Sequence, residues 1–379
     1  MRGNFLAQTW PMAEWVKKRI KLQTLMGVVK DQLSTGRAIV SHSQLTQIDL
    51  TVLRAINHEE QAMQEEAVRS VLEIGSASRM RVAHCIQVIM ERLNKTSSWV
   101  VAVKCLILIH RCLLEGGFMF RDLLSVHPAK GGHNYLNLSK FKDTSSPFTW
   151  SVSAWIRWYA RFIEQWIQTA RSTRSFPDNG LYFRLSSAEK LRSVSSSQLV
   201  RDTNALSDLL REVASWQADD YVVTHVLMKE GIKLVVAVTF SAYEEVKVRL
   251  YEAEKRIAAL EPSEAFMFLQ ICEMLSLNAM TFIHLFELIK DELLQHECIA
   301  LEGALLSDYD LMSLKQPFRL ASCNNILLSS QQLDVNVKFA LPWRSGSWNG
   351  TNCSSGMGTK NEQRASLFFQ KPPLYRTLA

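Results

Sequence analysis

This chain of 379 residues is short of glycine (15), proline (9), paired cysteines and long apolar runs, and each shortage removes a class of protein. So little glycine and proline excludes collagen-like and low-complexity chains and argues against turn-dense all-β architectures. The seven cysteines (85, 105, 112, 272, 298, 323 and 353) are odd in number and form no CxxC pair. They read as reduced thiols of a cytosolic protein, not as disulfides or zinc ligands. No stretch of 18 apolar residues exists. The best runs, Val100–Val103 with Cys105–Ile109 and Ile232–Phe240, carry Lys104 and Lys233 or are too short to span a bilayer. Trp10, Pro11 and Glu14 interrupt any signal-peptide pattern near the start. The expectation is a protein without a transmembrane segment that meets membranes from the cytosol, at their surface.

Catalytic signatures are also missing. There is no GxGxxG, no GxxxxGK[ST], no HExxH and no GxSxG. His127 and His133 flank a Gly/Lys loop at a spacing that no common zinc site uses. His84–Cys85 and His296–Cys298 are neighbours in sequence, which a helix points apart. The chain is therefore read as a non-enzyme with no metal and no cofactor.

What is present is apolar periodicity. Hydrophobic residues make up 47% and charged residues 21%, enough for a sizeable core. Spacings near 3.6 predict helices over 12–35, 61–74, 79–93, 99–114, 150–166, 205–216, 220–258 and 263–297. Asp49 reads as an N-cap for a further short helix, Ser78 and Ser97 or Ser98 as later caps, and Gly116–Gly117 as a stop. Helices of this length joined by short loops predict stacked antiparallel hairpins, an all-α solenoid. Trp155, Trp158, Tyr159, Phe162 and Trp166 fall on one face and read as core. The segment 125–150 reads as irregular, 171–204 as a Ser/Arg-rich loop, and 311–379 as a disordered basic tail.

The net charge of +6 is unevenly spread. Residues 311–379 hold eight Lys/Arg and two acids, a surplus that equals the whole net charge. The body is balanced, which argues against a nucleic-acid partner. Within it, residues 55–73 carry five acids against one base.

Two blocks of sequence carry a resemblance. One is Asn94-Lys95-Thr96-Ser97-Ser98-Trp99-Val100-Val101-Ala102-Val103-Lys104, continuing to Leu108-Ile109-His110-Arg111 and Glu115-Gly116. The other is Leu138-Ser139-Lys140-Phe141-Lys142-Asp143, then Ser145-Ser146-Pro147 and Ser153-Ala154-Trp155-Ile156-Arg157-Trp158. Val29-Lys30-Asp31-Gln32 and Ala55-Ile56-Asn57-His58-Glu59 precede them in the same order. Together they resemble the ANTH domain of clathrin-assembly proteins, above all the plant branch, with the strong match over 25–170 and a weaker one over 205–310.

That resemblance implies a helical solenoid that binds phosphatidylinositol 4,5-bisphosphate on the cytosolic leaflet of coated pits and vesicles, some Golgi-associated. It implies a tail that recruits clathrin heavy chain and adaptor complexes, and in some members SNARE proteins held as cargo. The family's headgroup motif is Lys-x9-Lys-x-(Lys/Arg)-(His/Tyr). Its positions map onto Arg54, Gln64, Glu66 and Ala67, so one of four survives and one is reversed in sign. Arg54, then His58, are the expected headgroup contacts. A second source of membrane attraction is the cluster Lys17, Lys18, Arg19 and Lys21 of residues 1–24, with Lys30 beyond it. A solvated helix face is the plainer reading of that cluster. In the tail, Tyr375-Arg376-Thr377-Leu378 fits a tyrosine-based sorting pattern through Tyr375 and Leu378. Asp122-Leu123-Leu124 and Asp208-Leu209-Leu210 look like clathrin-binding triplets but read better as core leucines.

Overall fold

The aromatic spacing noted above becomes the spine of the molecule. A computed structural model describes residues 26–36, 45–126, 132–174, 191–216, 220–290 and 305–330. Lys17, Lys18, Arg19, Lys21, Tyr375 and Leu378 lie outside the described residues, as does everything beyond 330. No strand occurs among the described residues, and the all-α expectation holds.

The helices are α1 (26–36), α2 (Thr46–Ala55), α3 (Glu65–Glu73), α4 (Arg79–Lys95), α5 (Trp99–Leu114), α6 (Phe118–Ser125), α7 (Pro147–Thr173), α8 (Ser196–Ala214), α9 (Asp220–Val223), α10 (Val226–Lys255), α11 (Pro262–Glu287) and α12 (Asp308–Ser330). All belong to one compact unit, residues 1–332. Each packs on its neighbours in a relay: α4 on α5, α5 on α7 and α10, α7 on α8, α8 on α10 and α11, and α11 on α12.

Helix α5 is the centre. From Trp99 to Leu114 only Arg111 escapes burial, because the helix is covered from several sides. Helix α7 begins with a capping box: Thr149 N–H donates to Ser146 Oγ at 3.1 Å, and Ser146 N–H donates to Thr149 Oγ1 at 3.0 Å. Pro147 stands at the first helical position, where its missing N–H costs nothing. Its rings Trp155, Trp158, Tyr159, Phe162 and Trp166 are all buried, and Trp158 lies 5.2 Å from Trp216 in a stacked pair. Trp158 Nε1–H donates to the Glu212 carbonyl and Thr169 Oγ1–H to that of Ala205, which fixes α8 along α7. Removing one such ring to alanine would cost about 3–5 kcal/mol. Gly231 lets α10 approach: a Cβ there would sit 2.7 Å from Trp155 Cη2.

Several boundaries differ from the sequence expectation. Helix α2 starts at Thr46, so Asp49 lies in its first turn and is not the cap; its carboxylate meets His84 Nε2 at 2.6 Å. Helix α3 starts at Glu65 and not near Gln61, because side chains from other helices hold the preceding turn. Ser195 caps α8 by accepting from Gln198 N–H, so the serine run belongs to a helix start and not to a loop ending at 204. Arg256 holds the stretch before it, donating to the carbonyls of Val194 and Leu191 at 2.6 Å.

The largest correction concerns the expected tail. Helix α12 runs across 311 to Ser330 and carries Pro317 inside it. Leu311, Leu314 and Phe318 are buried, Phe318 stacks on Phe268 of α11, and Lys315 Nζ donates to Ser276 Oγ at 2.6 Å. An interior proline costs about 3 kcal/mol, and burial of two leucines and a phenylalanine at about 1.5–3 kcal/mol each outweighs it.

Among the described residues, α11 alone is long and apolar enough to cross a bilayer, with mean hydropathy 1.5 in its best window. Its Phe268, Ile271, Cys272, Leu275 and Phe282 are buried within the fold. The leucines of both clathrin-like triplets belong to helices, with Leu124, Leu209 and Leu210 fully buried.

Candidate functional site

The positions expected to carry the motif flank the turn between α2 and α3, and that turn is held from below. Lys104 of α5 is 2% exposed, and its Nζ donates to Asn57 Oδ1 at 2.5 Å and to the Glu59 carbonyl at 2.8 Å. Burial pulls its pKa down to about 8, against partial support from the carboxylates of Glu59, Glu230 and Asp31. Glu230 of α10 accepts from the Met63 backbone N–H, and its own burial raises its pKa. Arg92 of α4 donates from Nε and Nη2 to the Ile56 carbonyl at 3.1 and 2.9 Å.

The motif positions themselves are poorly suited to an anion. Arg54 sits exposed in the last turn of α2 and has no partner among the described residues. Gln64 is the exposed N-cap residue of α3 and makes no side-chain capping bond. Glu66 is exposed in the first helical turn, while Ala67 is half-buried against the core. Beside them, Glu65 is clamped by Arg111 at 2.6 and 2.9 Å, which holds its carboxyl below the usual range. Arg111 also takes Glu115 at 2.7 Å. The positive end of α3 is thus already answered by its own carboxylates.

His58, unlike Arg54, is engaged by its neighbours. Its Nδ1 lies 2.7 Å from Asp31 Oδ1, and its backbone N–H donates to Asp31 Oδ2 at 2.8 Å. Arg92 Nη2 completes the cluster on Asp31 Oδ1 at 2.8 Å. These partners lower the Asp31 pKa against the opposing effect of burial. Gly27 permits the contact of α1 with this turn, since a Cβ would meet His58 Cβ at 2.7 Å.

A cavity of about 390 Å³ opens beside His58. Lys30, His58, Glu60, Ser98, Lys142 and Asp143 are among the residues that line it. The segment bearing Lys142 is pinned to α7. Arg157 donates to the Phe141 carbonyl at 2.8 Å, and Asp143 N–H donates to Ser153 Oγ at 2.8 Å. Asp143 in turn accepts from Trp99 N–H at the start of α5 and from Ser145. Lys30 and His58 therefore meet at this cavity, whereas Arg54 is not among its lining residues. Lys142 and Lys104 went unrecognised as candidates in the sequence, although both stand inside the two blocks that carry the resemblance. Among the described residues no cluster of three His, Cys, Asp or Glu could hold a metal ion.

The model of the ANTH domain matches residues 47–279. The chain belongs to the ANTH domain family. Three Arabidopsis thaliana proteins named for clathrin assembly are similar to it. The first is 36% identical over 195 residues, which is 50% of this chain and 53% of that protein. The second is 32% identical over 232 residues, 58% of this chain and 38% of the relative. The third is 28% identical over 271 residues, 70% and 39% respectively. The chain thus spans about half or less of the length of these relatives. In this ANTH domain the resembling blocks hold up the scaffold. Asp31, Asn57, His58, Lys104 and Asp143 tie the α2–α3 turn and the 139–145 segment to α4, α5 and α7.

Proposed function

We propose that this ANTH protein is a non-enzymatic adaptor that attaches to phosphoinositide-bearing membrane from the cytosolic side and promotes assembly of clathrin-coated pits and vesicles. The observation that carries the reading is the ANTH match over 47–279, together with relatives whose names state clathrin assembly. Clathrin heavy chain and adaptor complexes are the partners that fit it. The rigid turn between α2 and α3 suits a docking role: it positions groups and contains no nucleophile paired with a base. The test is whether the full chain sediments clathrin with vesicles containing phosphatidylinositol 4,5-bisphosphate and increases coat formation on them. Clathrin recruitment equal to that of vesicles alone would defeat the reading.

One observation favours a second reading. Glu66 replaces a cation of the headgroup motif and stands beside Glu65, and at partly exposed sites a like-charged contact costs on the order of 1 kcal/mol. On that reading the solenoid is a scaffold for SNARE or other protein partners without headgroup contact at Arg54. Vesicle binding that ignores Arg54→Glu and ignores the phosphoinositide would favour it.

A further inference from the structure

We propose that the cavity between α1, the 57–60 turn, the start of α5 and the 139–145 segment binds a phosphate monoester, with Lys30 and Lys142 as its cationic contacts. The site would serve the membrane half of the proposed function, but it is argued from its own lining and stands whether or not that half or the clathrin half holds.

The argument is an imbalance of donors and acceptors. Lys30 and Lys142 are exposed at the cavity, and neither has a partner among the described residues. The hydroxyls of Ser97, Ser98 and Thr144 also line it and are likewise uncommitted. Ser98 is the N-cap residue of α5 yet makes no capping bond, so its hydroxyl is free to face a ligand. The acceptors, by contrast, are spent or weakened. Asp143 Oδ2 takes Trp99 N–H, and its Oδ1 takes both the N–H and the Oγ–H of Ser145. Glu60, though exposed, is the one uncommitted carboxylate among the lining residues, and partial desolvation at the cavity, then the nearby Asp143, raises its pKa. Two ammonium groups and three hydroxyls call for an anion with several acceptor oxygens, and a phosphate monoester supplies three. The volume lies within the range of small-molecule sites, so the phosphate can arrive on a ring-sized carrier. Rigid neighbours on both sides, His58 locked to Asp31 and the 141–143 segment locked to α7, keep the two lysines in place.

Two sources of such a group exist, a lipid headgroup and a soluble inositol phosphate, and the experiment separates them. The full chain is titrated with inositol 1,4,5-trisphosphate by calorimetry. It is also sedimented with phosphatidylcholine vesicles carrying phosphatidylinositol 4,5-bisphosphate or an equal charge of phosphatidylserine. The variants are Lys30→Glu/Lys142→Glu, the milder Lys30→Gln/Lys142→Gln, Glu60→Gln and Arg54→Glu. All four positions are exposed, and unfolding midpoints confirm that each variant is folded. The expected result is a loss of roughly tenfold or more for the double charge reversal, a smaller loss for the glutamines, a gain for Glu60→Gln and little change for Arg54→Glu. Sensitivity to the lysines in the vesicle arm alone assigns the headgroup as source. Sensitivity in the soluble arm alone keeps the site and defeats the membrane reading. Unchanged affinity of the folded double variant overturns the site, as do absence of binding in both arms and equal binding to phosphatidylserine. Competition by an acidic peptide as strong as that of the inositol phosphate would also overturn it, in favour of a protein ligand.

Discussion

Replacing Lys104 with methionine tests the claim that a buried ammonium holds the α2–α3 turn. The methionine fills most of the same volume and removes the charge. Two terms oppose each other at pH 7. The variant loses two bonds from a charged donor, to Asn57 Oδ1 and the Glu59 carbonyl, and leaves those acceptors unpaired at about 1–3 kcal/mol each. It also escapes the cost of keeping a charge at 2% exposure. A net loss of about 1–2 kcal/mol is expected.

The pH dependence is sharper than the net value. The folded-state pKa of about 8 lies below the ordinary 10.5, so the folded state binds fewer protons than the unfolded state between those values. Stability from this group therefore rises with pH, starting as pH passes through 8 and ending near 10.5. From pH 7 to 9 the gain is about 1.3 kcal/mol at 1.36 kcal/mol per pH unit. Cysteine and tyrosine ionisation acts the other way in the same range, but it cancels in the difference between wild type and Lys104→Met. Urea unfolding of both proteins at pH 7, 8 and 9 reads that difference. Parallel curves, within about 0.3 kcal/mol, would refute a buried, charged Lys104.

His110 is fully buried, with Nδ1 against Tyr159 Oη at 2.8 Å, and burial pulls its pKa down to about 3. Its stabilising effect is whole above pH 6.5 and is lost as pH falls toward 3. His110→Phe should therefore flatten acid denaturation by about 2–3 kcal/mol between pH 6.5 and 4.5, read by circular dichroism. Restoring the family pattern with Gln64→Lys, Glu66→Lys and Ala67→His should raise affinity for phosphatidylinositol 4,5-bisphosphate vesicles in sedimentation. No gain would mean that the first turn of α3 has lost the geometry as well as the charge. Gly231→Ala places a Cβ at 2.7 Å from Trp155 Cη2 and should cost about 1–3 kcal/mol in thermal unfolding. A neutral outcome there would show that α10 and α7 are less tightly apposed. Phe318→Ala should cost about 3–5 kcal/mol, because it removes the ring stacked on Phe268; a value under 1 would show that α12 is not part of the fold.

The sequence by itself determined the helical class, the aromatic face of α7 and the family. All three are written in local spacing or in contiguous blocks, so periodicity and order suffice to read them. It also places Gln at 64 and Glu at 66, a matter of residue type alone. Tertiary structure decided the rest, because each remaining question is about which distant groups meet. Asp31 and His58 are 27 positions apart, and only the fold brings them together. Lys104 looks in sequence like an interruption of an apolar run; its role appears only when the turn at 57–59 lies over it. The proline and polar residues after 311 look like the start of a tail, and only the groove of α11 makes Leu311, Leu314 and Phe318 a helix face. Lys30 and Lys142 stand more than a hundred residues apart, and no local pattern could bring them to one cavity; the packing of α1, α5 and the segment before α7 does.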